Sequence, residues 1–449
     1  MNAIEKQTAL SLSLVFATRM LGLFMVLPVF SLLGMSLEGA TPLLIGFAIG
    51  AYGLTQALFQ IPFGRLSDRL GRKKVIVGGL LLFCAGSVIA ALSDHIYGVI
   101  LGRLLQGCGA VASAVMALAA DLSRDEQRSK VMATIGMSIG LAFTLAMFMG
   151  PWVAQLGGLS GIFWVTAALA VAALAIIGWW TPNPTQLKIQ RDAIAGKGQL
   201  LPLLKDAQLW RLNLGIFSLH FLLTAFFVSF PTRLSEWDVS LAESGWLYLA
   251  VMVIAAVLMI PCIIIAEKQR RHRSIMVGVM CSIVLLELVL SDYHGSFWGI
   301  ILLLGLFFAG FNVMEALFPS LISRIAPVSE KGAALGIYST CQFLGASLGG
   351  PVAGWLVQSS GAEQAYIVSA MLALLWAVAG LGLKSPPALT SYTFTVHHMA
   401  EEAYAALLDD IRAIEGVAEA VALPEAGAVY LKVDKKQFDE AALQQLKKS

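Results

Sequence analysis

Five ionisable side chains stand inside long apolar runs: Arg19, Arg103, His220, Glu287 and Glu315. Charge is costly to hold in hydrocarbon, so each is a candidate to bind or carry a charged species. Arg19 falls near the middle of the first run. It either faces a central cavity, binding an anionic group or balancing a carboxylate, or it is a buried structural ion-pair partner. Arg103 lies in Arg103-Leu104-Leu105-Gln106-Gly107, where a fixed cation beside a cavity would bias the protonation of any nearby acid. Its other reading is a packing or snorkelling arginine. His220, again mid-run, has the chemistry of a proton carrier, and a hydrogen-bonded core histidine fits it equally well. Glu287 and Glu315 are acids in apolar surroundings, and such a carboxylate can take up a proton on one side of a membrane and release it on the other. Asn312 and Pro319 give Glu315 polar, broken-helix company. That makes it the stronger proton-coupling candidate, with a place in an inner latch beside Arg324 as the alternative. Gln56 and Gln60, at i and i+4 on one helix face, can line a pore.

The elements that position these groups are legible in the composition. The chain has 449 residues, of which 58% are hydrophobic and 13% charged, with a mean hydropathy of +0.79. A water-soluble globular protein of this size is excluded, and a polytopic membrane protein is expected. A spanning helix needs about 20 apolar residues to cross roughly 30 Å of hydrocarbon. Runs broken at charges and turn residues give twelve spans, starting near residues 8, 43, 75, 96, 130, 160, 210, 242, 274, 297, 332 and 363. With the N-terminus inside, the inner loops carry nineteen Lys and Arg and the outer loops one, Arg233. This bias places both termini in the cytoplasm. The first run is too long for a signal-peptide core. The five cysteines lie in apolar helices without paired spacing, so neither disulfides nor a zinc site is expected.

The longest inner loop, 182–209, is rich in proline, glycine and scattered charge and divides the bundle into halves, 1–181 and 210–385. Gly150-Pro151 in the fifth span has its counterpart in Gly349-Gly350-Pro351 of the eleventh, the signature of an internal repeat. A Gly-Pro pair can kink a helix or admit a close neighbour, so Gly150, Pro151, Gly350 and Pro351 are hinge or gate candidates, or mark close packing alone. From 391 to 449 the composition turns polar. Its pattern reads as strand 392–396, helix 400–414, strands 417–423 and 428–433 and helix 437–446, most of a small cytoplasmic α+β ferredoxin-like domain. Val396-His397-His398-Met399 at the first strand-to-helix turn could hold a soft ion weakly. Without cysteines a solvated loop is the better reading, and no metal site is expected.

Between the second and third spans stands Gly64-Arg65-Leu66-Ser67-Asp68-Arg69-Leu70-Gly71-Arg72-Lys73-Lys74. Its spacing and position resemble the signature loop of the major facilitator superfamily. The resemblance implies an all-α bundle of twelve transmembrane helices in two pseudo-symmetric six-helix halves. It implies that Gly64, Asp68, Arg69, Gly71 and Arg72 form a conformational latch closing the cytoplasmic side in the outward-facing state. Asp68 would then face the N-terminus of the eleventh helix near Gly332, and Arg72 would pair with Asp121. Arg103 with Gln106 resembles a second family motif associated with proton coupling. The glycine-rich fifth helix resembles that of proton-coupled exporters only partly, since Ala146 and Val153-Ala154 replace glycines. The implied activity is secondary active transport in a bacterial inner membrane, with proton-driven efflux (antiport) of a small molecule preferred. Proton symport or facilitated uptake is the alternative within transport, and a transporter-like sensor signalling through the tail is the alternative of another class. No enzyme activity, cofactor or nucleic-acid partner is expected. Energy would come from the proton gradient, because the phosphate-binding Gly-x-x-x-x-Gly-Lys-Ser/Thr is absent. A monomer in the bilayer, handling protons and a small-molecule substrate, is the expected assembly.

Overall fold

A computed structural model of the chain describes residues 1–183, 200–327, 330–384, 389–395, 401–423, 428–434, 437–439 and 442–443. Twelve spans can be followed among them. The first is Ala3–Phe24 continued by Leu27–Leu33, the second Pro42–Leu70, the third Arg72–Ala91, and the fourth Ile96–Cys108 with Ala112–Asp121. The fifth and sixth form one run, Asp125–Ala175, broken at Gly158, whose φ of 62° leaves the helical region. The second half comprises Ala207–Ser229, Leu241–Lys268, His272–Ser291, Phe297–Ile325, Lys331–Ser360 and Ala362–Gly380. The first helix starts earlier than its apolar run because Asn2 and Glu5 form a reciprocal capping box, with bonds of 2.8 and 2.7 Å. Gly71 alone separates the second helix from the third, with φ 98° and ψ 140°, a conformation open to glycine and strained for other residues.

The two sets of six helices meet at their outer ends. The second and eleventh spans approach so closely that a Cβ on Gly46 would strike the Gly350 carbonyl, and one on Gly350 the Gly46 carbonyl. Gly50 faces the Ser347 carbonyl in the same way, and Gly354 that of Pro42. Small residues let two backbones pack without side chains between them. Ser31 Oγ donates to the Phe227 carbonyl at 3.0 Å, and the Leu43 amide to Gln358 Oε1 at 3.3 Å. On the other flank, Gly245 of the eighth span lies against the Phe148 carbonyl of the fifth. Below these contacts an aromatic cluster crosses between the halves: Phe143 lies 4.9 Å from Phe24, 6.2 Å from Phe308 and 6.5 Å from Phe311 between ring centroids. The outer side is therefore closed. Toward the inner side, Gly136, Gly140 and Gly336 have open space where a Cβ would stand. The Gly-Pro pairs do not break their helices, which run through Pro151 and Pro351. Gly150 seats against the Met25 carbonyl of the first span and Gly350 against the second.

The inner loop contributes a short helix, Leu200–Lys205, and Asp206 caps the seventh span through the Gln208 and Leu209 amides. The middle of the expected linker, 184–199, lies outside the described residues. The C-terminal segment is a small α+β unit. Strands β1 (Leu389–Thr395), β2 (Val417–Leu423) and β3 (Ala428–Asp434) pair antiparallel in the order β1-β3-β2, with helix Glu401–Ala413 crossing between β1 and β2. Ile411, Ala420, Val429, Leu431 and Leu443 form its core. The Val396-His397-His398-Met399 turn and most of the final helix expected at 437–446 lie outside the described residues.

Candidate functional site

At the inner surface Arg72 is the organising cation, 2% exposed at the first turn of the third span. Its Nε donates to Asp121 Oδ2 at 3.1 Å, its Nη1 donates to Ser67 Oγ at 2.7 Å, and it also pairs with Asp68. Asp121 ends the fourth span, so this cluster ties three helices of one half together. Asp68 thus points at Arg72 in this state. Arg69 is exposed, and Gly64 packs near Ser113 of the fourth span. Beside the cluster, Arg124 binds Glu5 through Nε at 2.7 Å and Nη2 at 3.2 Å. That pair was not legible in the sequence, since nothing local joins two residues so far apart.

The polar groups of the N-terminal half form one buried network. Arg19, 1% exposed, donates from Nη2 to Tyr52 Oη at 2.6 Å, Gln56 Oε1 at 2.9 Å and the Gly109 carbonyl at 3.2 Å. Gln56 donates onward to Gln60 Oε1 at 2.7 Å. Both glutamines are buried in this network. Arg103 donates to the Ala48 carbonyl at 3.3 Å and Gln106 Oε1 at 2.9 Å, and Gln106 to Ser87 Oγ at 2.8 Å. The two guanidinium carbons lie 5.9 and 5.4 Å from the Tyr52 ring centroid. Tyr52 and Ser87 join candidates that the sequence had suggested singly.

In the C-terminal half the structure brings His220 and Glu315 together through a residue the sequence reading missed, Gln342. His220 Nδ1 lies 3.3 Å from the Ile216 carbonyl one turn back, and its Nε2 lies 2.9 Å from Gln342 Nε2. The amide is the donor there, so Nδ1 carries the imidazole proton and Nε2 accepts. The same amide donates to Glu315 Oε1 at 3.2 Å, and His220 Nε2 and Glu315 Oε2 are 3.9 Å apart. The seventh, tenth and eleventh spans thus converge on one imidazole, amide and carboxylate. Glu315 keeps 38% side-chain exposure in mid-span, which puts it on the wall of the space these helices border. Tyr338, one turn from Gln342, is within electrostatic reach of Glu315, and its hydroxyl has no hydrogen-bond partner among the described residues. Phe311 covers His220 from the outer side at 5.6 Å. Tyr338 and Gln342 share a face of the eleventh helix at i and i+4, a spacing visible in the sequence.

The latch alternative for Glu315 is corrected. Arg324 bonds Glu267 at 2.8 and 3.0 Å and approaches His272 at 3.4 Å, and by helical rise it lies about 13 Å along the helix from Glu315. Glu287 is buried in the ninth span apart from this cluster, and its Oε1 has no hydrogen-bond partner among the described residues.

Known proteins share this architecture. The family model of the Major Facilitator Superfamily matches residues 12–286 and 212–395. The chain belongs to the Major Facilitator Superfamily. It is therefore a multi-pass membrane transporter handling a small molecule. Within the superfamily it is similar to the inner membrane transport protein YajR of Escherichia coli (strain K12), 44% identical over 443 residues, 98% of this chain and 97% of that protein. It is also similar to the multidrug resistance protein MdtH of Klebsiella pneumoniae (strain 342), 25% identical over 340 residues, 75% of this chain and 83% of that protein. Among solved structures, a bacterial homolog of the human lysosomal transporter Spinster, in an inward-facing and occupied conformation, matches with a TM-score of 0.72 at 12% identity. That match covers 85% of this chain and 97% of the other.

Proposed function

We propose that this protein is an inner-membrane antiporter that exports a small molecule in exchange for protons by alternating access. The observation that carries this reading is the His220–Gln342–Glu315 cluster. It offers two proton-accepting groups, Glu315 and the Nε2 lone pair of His220 that accepts from Gln342, joined by an amide that can reorient as either changes its proton. Neutralising Glu315 lowers the cost of closing the space around it. The cluster also sits on a lever. Gln342 and Gly350 belong to the same eleventh helix, so a change of hydrogen bonding at Gln342 reaches the outer contact with Gly46 through one rigid element. Opening that contact would free the N-terminus of the eleventh helix to approach Asp68, which then exchanges Arg72 for the positive end of a helix. YajR, by name an inner membrane transport protein, and MdtH, by name a multidrug resistance protein, support the compartment and the outward direction.

A second reading, a sensor, is favoured by one contact. Lys432 of β3 donates to the carbonyls of Arg324 at 3.3 Å and Ala326 at 2.6 Å, so the tail touches the end of the tenth span. The deciding experiment imposes a pH gradient on proteoliposomes and screens a chemically broad panel for compound-dependent proton movement. Antiport predicts such movement, reduced at least about tenfold by Glu315→Gln. Ligand binding that alters tail mobility without any flux would establish the sensor instead.

A further inference from the structure

Arg19 is a buried cation without an acid. Among the described residues neither Arg19 nor Arg103 forms an ion pair with an Asp or Glu, and Arg19 Nε and Nη1 have no hydrogen-bond acceptor. All its protein bonds leave from Nη2. A buried guanidinium with two idle donors is strongly disfavoured unless a partner completes it in some working state.

The fold supplies the rest of a site at the same place. The fourth span breaks between Cys108 and Ala112, and its second segment, Ala112–Asp121, starts afresh at mid-membrane. Val111, which precedes that segment, offers no side-chain cap, so the N–H groups of the first turn have no intrahelical acceptor. Val111 and Val115 line a cleft with Arg19, Val15 and Phe16, too tight for a water molecule in this state. Arg19 and Val111, the residue that precedes the second segment, therefore border one apolar slot. Discontinuous membrane helices hold anions in this manner.

We propose that Arg19 and the amino end of Ala112–Asp121 form the binding site for an anionic oxygen group of the cargo, a carboxylate, phosphate or sulfonate on an apolar body. The apolar lining selects the body, and the idle Nε and Nη1 donors select the head through charge-assisted hydrogen bonds. The tightness of the slot assigns occupancy to a state in which the first and fourth spans have moved apart. Taken with the antiport reading, on which this consequence rests, outward movement of a monoanion against an entering proton carries two positive charges inward. An inside-negative potential then accelerates export.

The test uses the full chain in nanodiscs of neutral lipid. Calorimetric titration compares benzoate, phenylphosphonate and benzenesulfonate with benzyl alcohol and benzyltrimethylammonium. Anions are expected to bind at least about tenfold more tightly than the alcohol. Arg19→Gln removes that preference and Arg19→Lys keeps part of it. Equal binding of anion and alcohol, or a preference that survives Arg19→Gln, overturns the proposal. Loss of anion binding when phosphatidylglycerol replaces the neutral lipid also overturns it, assigning the site to a lipid headgroup. Should Arg19→Gln not fold, the wild-type preference together with Val115→Phe, which fills the slot and must weaken anions selectively, decides the matter. Because titration involves no proton flux, its outcome is independent of the antiport reading.

Discussion

Arg72 shares one guanidinium among Asp121, Ser67 and Asp68, and this sharing separates its roles. Asp121 is fully buried, so Asp121→Ala leaves a desolvated cation partly paired and should cost about 3 kcal/mol. Thermal unfolding in detergent measures it. Asp68 is 20% exposed and can leave without stranding a charge, so Asp68→Asn should change stability little and slow the conformational cycle instead. The candidate residues were legible one at a time, because a charge inside an apolar run stands out without any tertiary information. Their company was not. Nothing in the sequence said that Gln342 would bridge His220 and Glu315, that Arg19 would lack an acid, or that Arg324 would choose Glu267.

Among elements, the paired second and eleventh helices form the outer closure, and their glycines set its tolerance. Gly46→Leu drives a side chain into the Gly350 carbonyl, and overpacking of this kind costs about 1–3 kcal/mol. The expected outcome is a shift away from the outer-closed state, read as a longer distance between spin labels at Ser36→Cys and Ser359→Cys. An unchanged distance would mean that the contact is not a gate. Outside the membrane, Arg233 ties the loop after the seventh span to the one after the ninth. It donates to the Leu290 and Tyr293 carbonyls, at 2.7 Å each, and to Glu236 at 2.8 Å. The Arg233 hydrogen bond holds the Glu236 carboxyl below its usual range. Such a group contributes its stability above the ordinary carboxylate range and loses it as pH falls through the lowered value. The protection of amides 231–237, relative to their intrinsic exchange at each pH, should therefore hold through the ordinary carboxylate range and fall only below it. The spans themselves were legible because each carries its own long apolar run, but the connection read as a loop from Gly64 to Lys74 is helical on both sides of Gly71. The break at Gly158 falls where the sequence separates the fifth span from the sixth near residue 160, whereas the one after Cys108 escaped the sequence reading, since hydropathy continues through it.

At the scale of the molecule, a transport bundle and an α+β tail meet at the cytoplasmic end of the tenth span. Lys432 is buried, pairs with Glu419 at 3.3 Å and caps the carbonyl end of that helix, where a cation is favoured. Lys432→Met should weaken this docking by about 1–3 kcal/mol, seen as faster hydrogen exchange in β3 with the bundle unchanged. The tail was legible as a fold from its alternating strands, whereas its docking site required the assembled chain. In the antiport proposed above, one cluster both holds the proton and moves the helix that closes the outer side. The most direct test is proton release in unbuffered detergent solution when a compound binds the purified full chain, followed with a pH indicator. Competition between cargo and proton at His220–Gln342–Glu315 predicts release in the wild type and none in Glu315→Gln, with binding retained in both. Binding with no release in the wild type, or undiminished release in Glu315→Gln, would contradict the account.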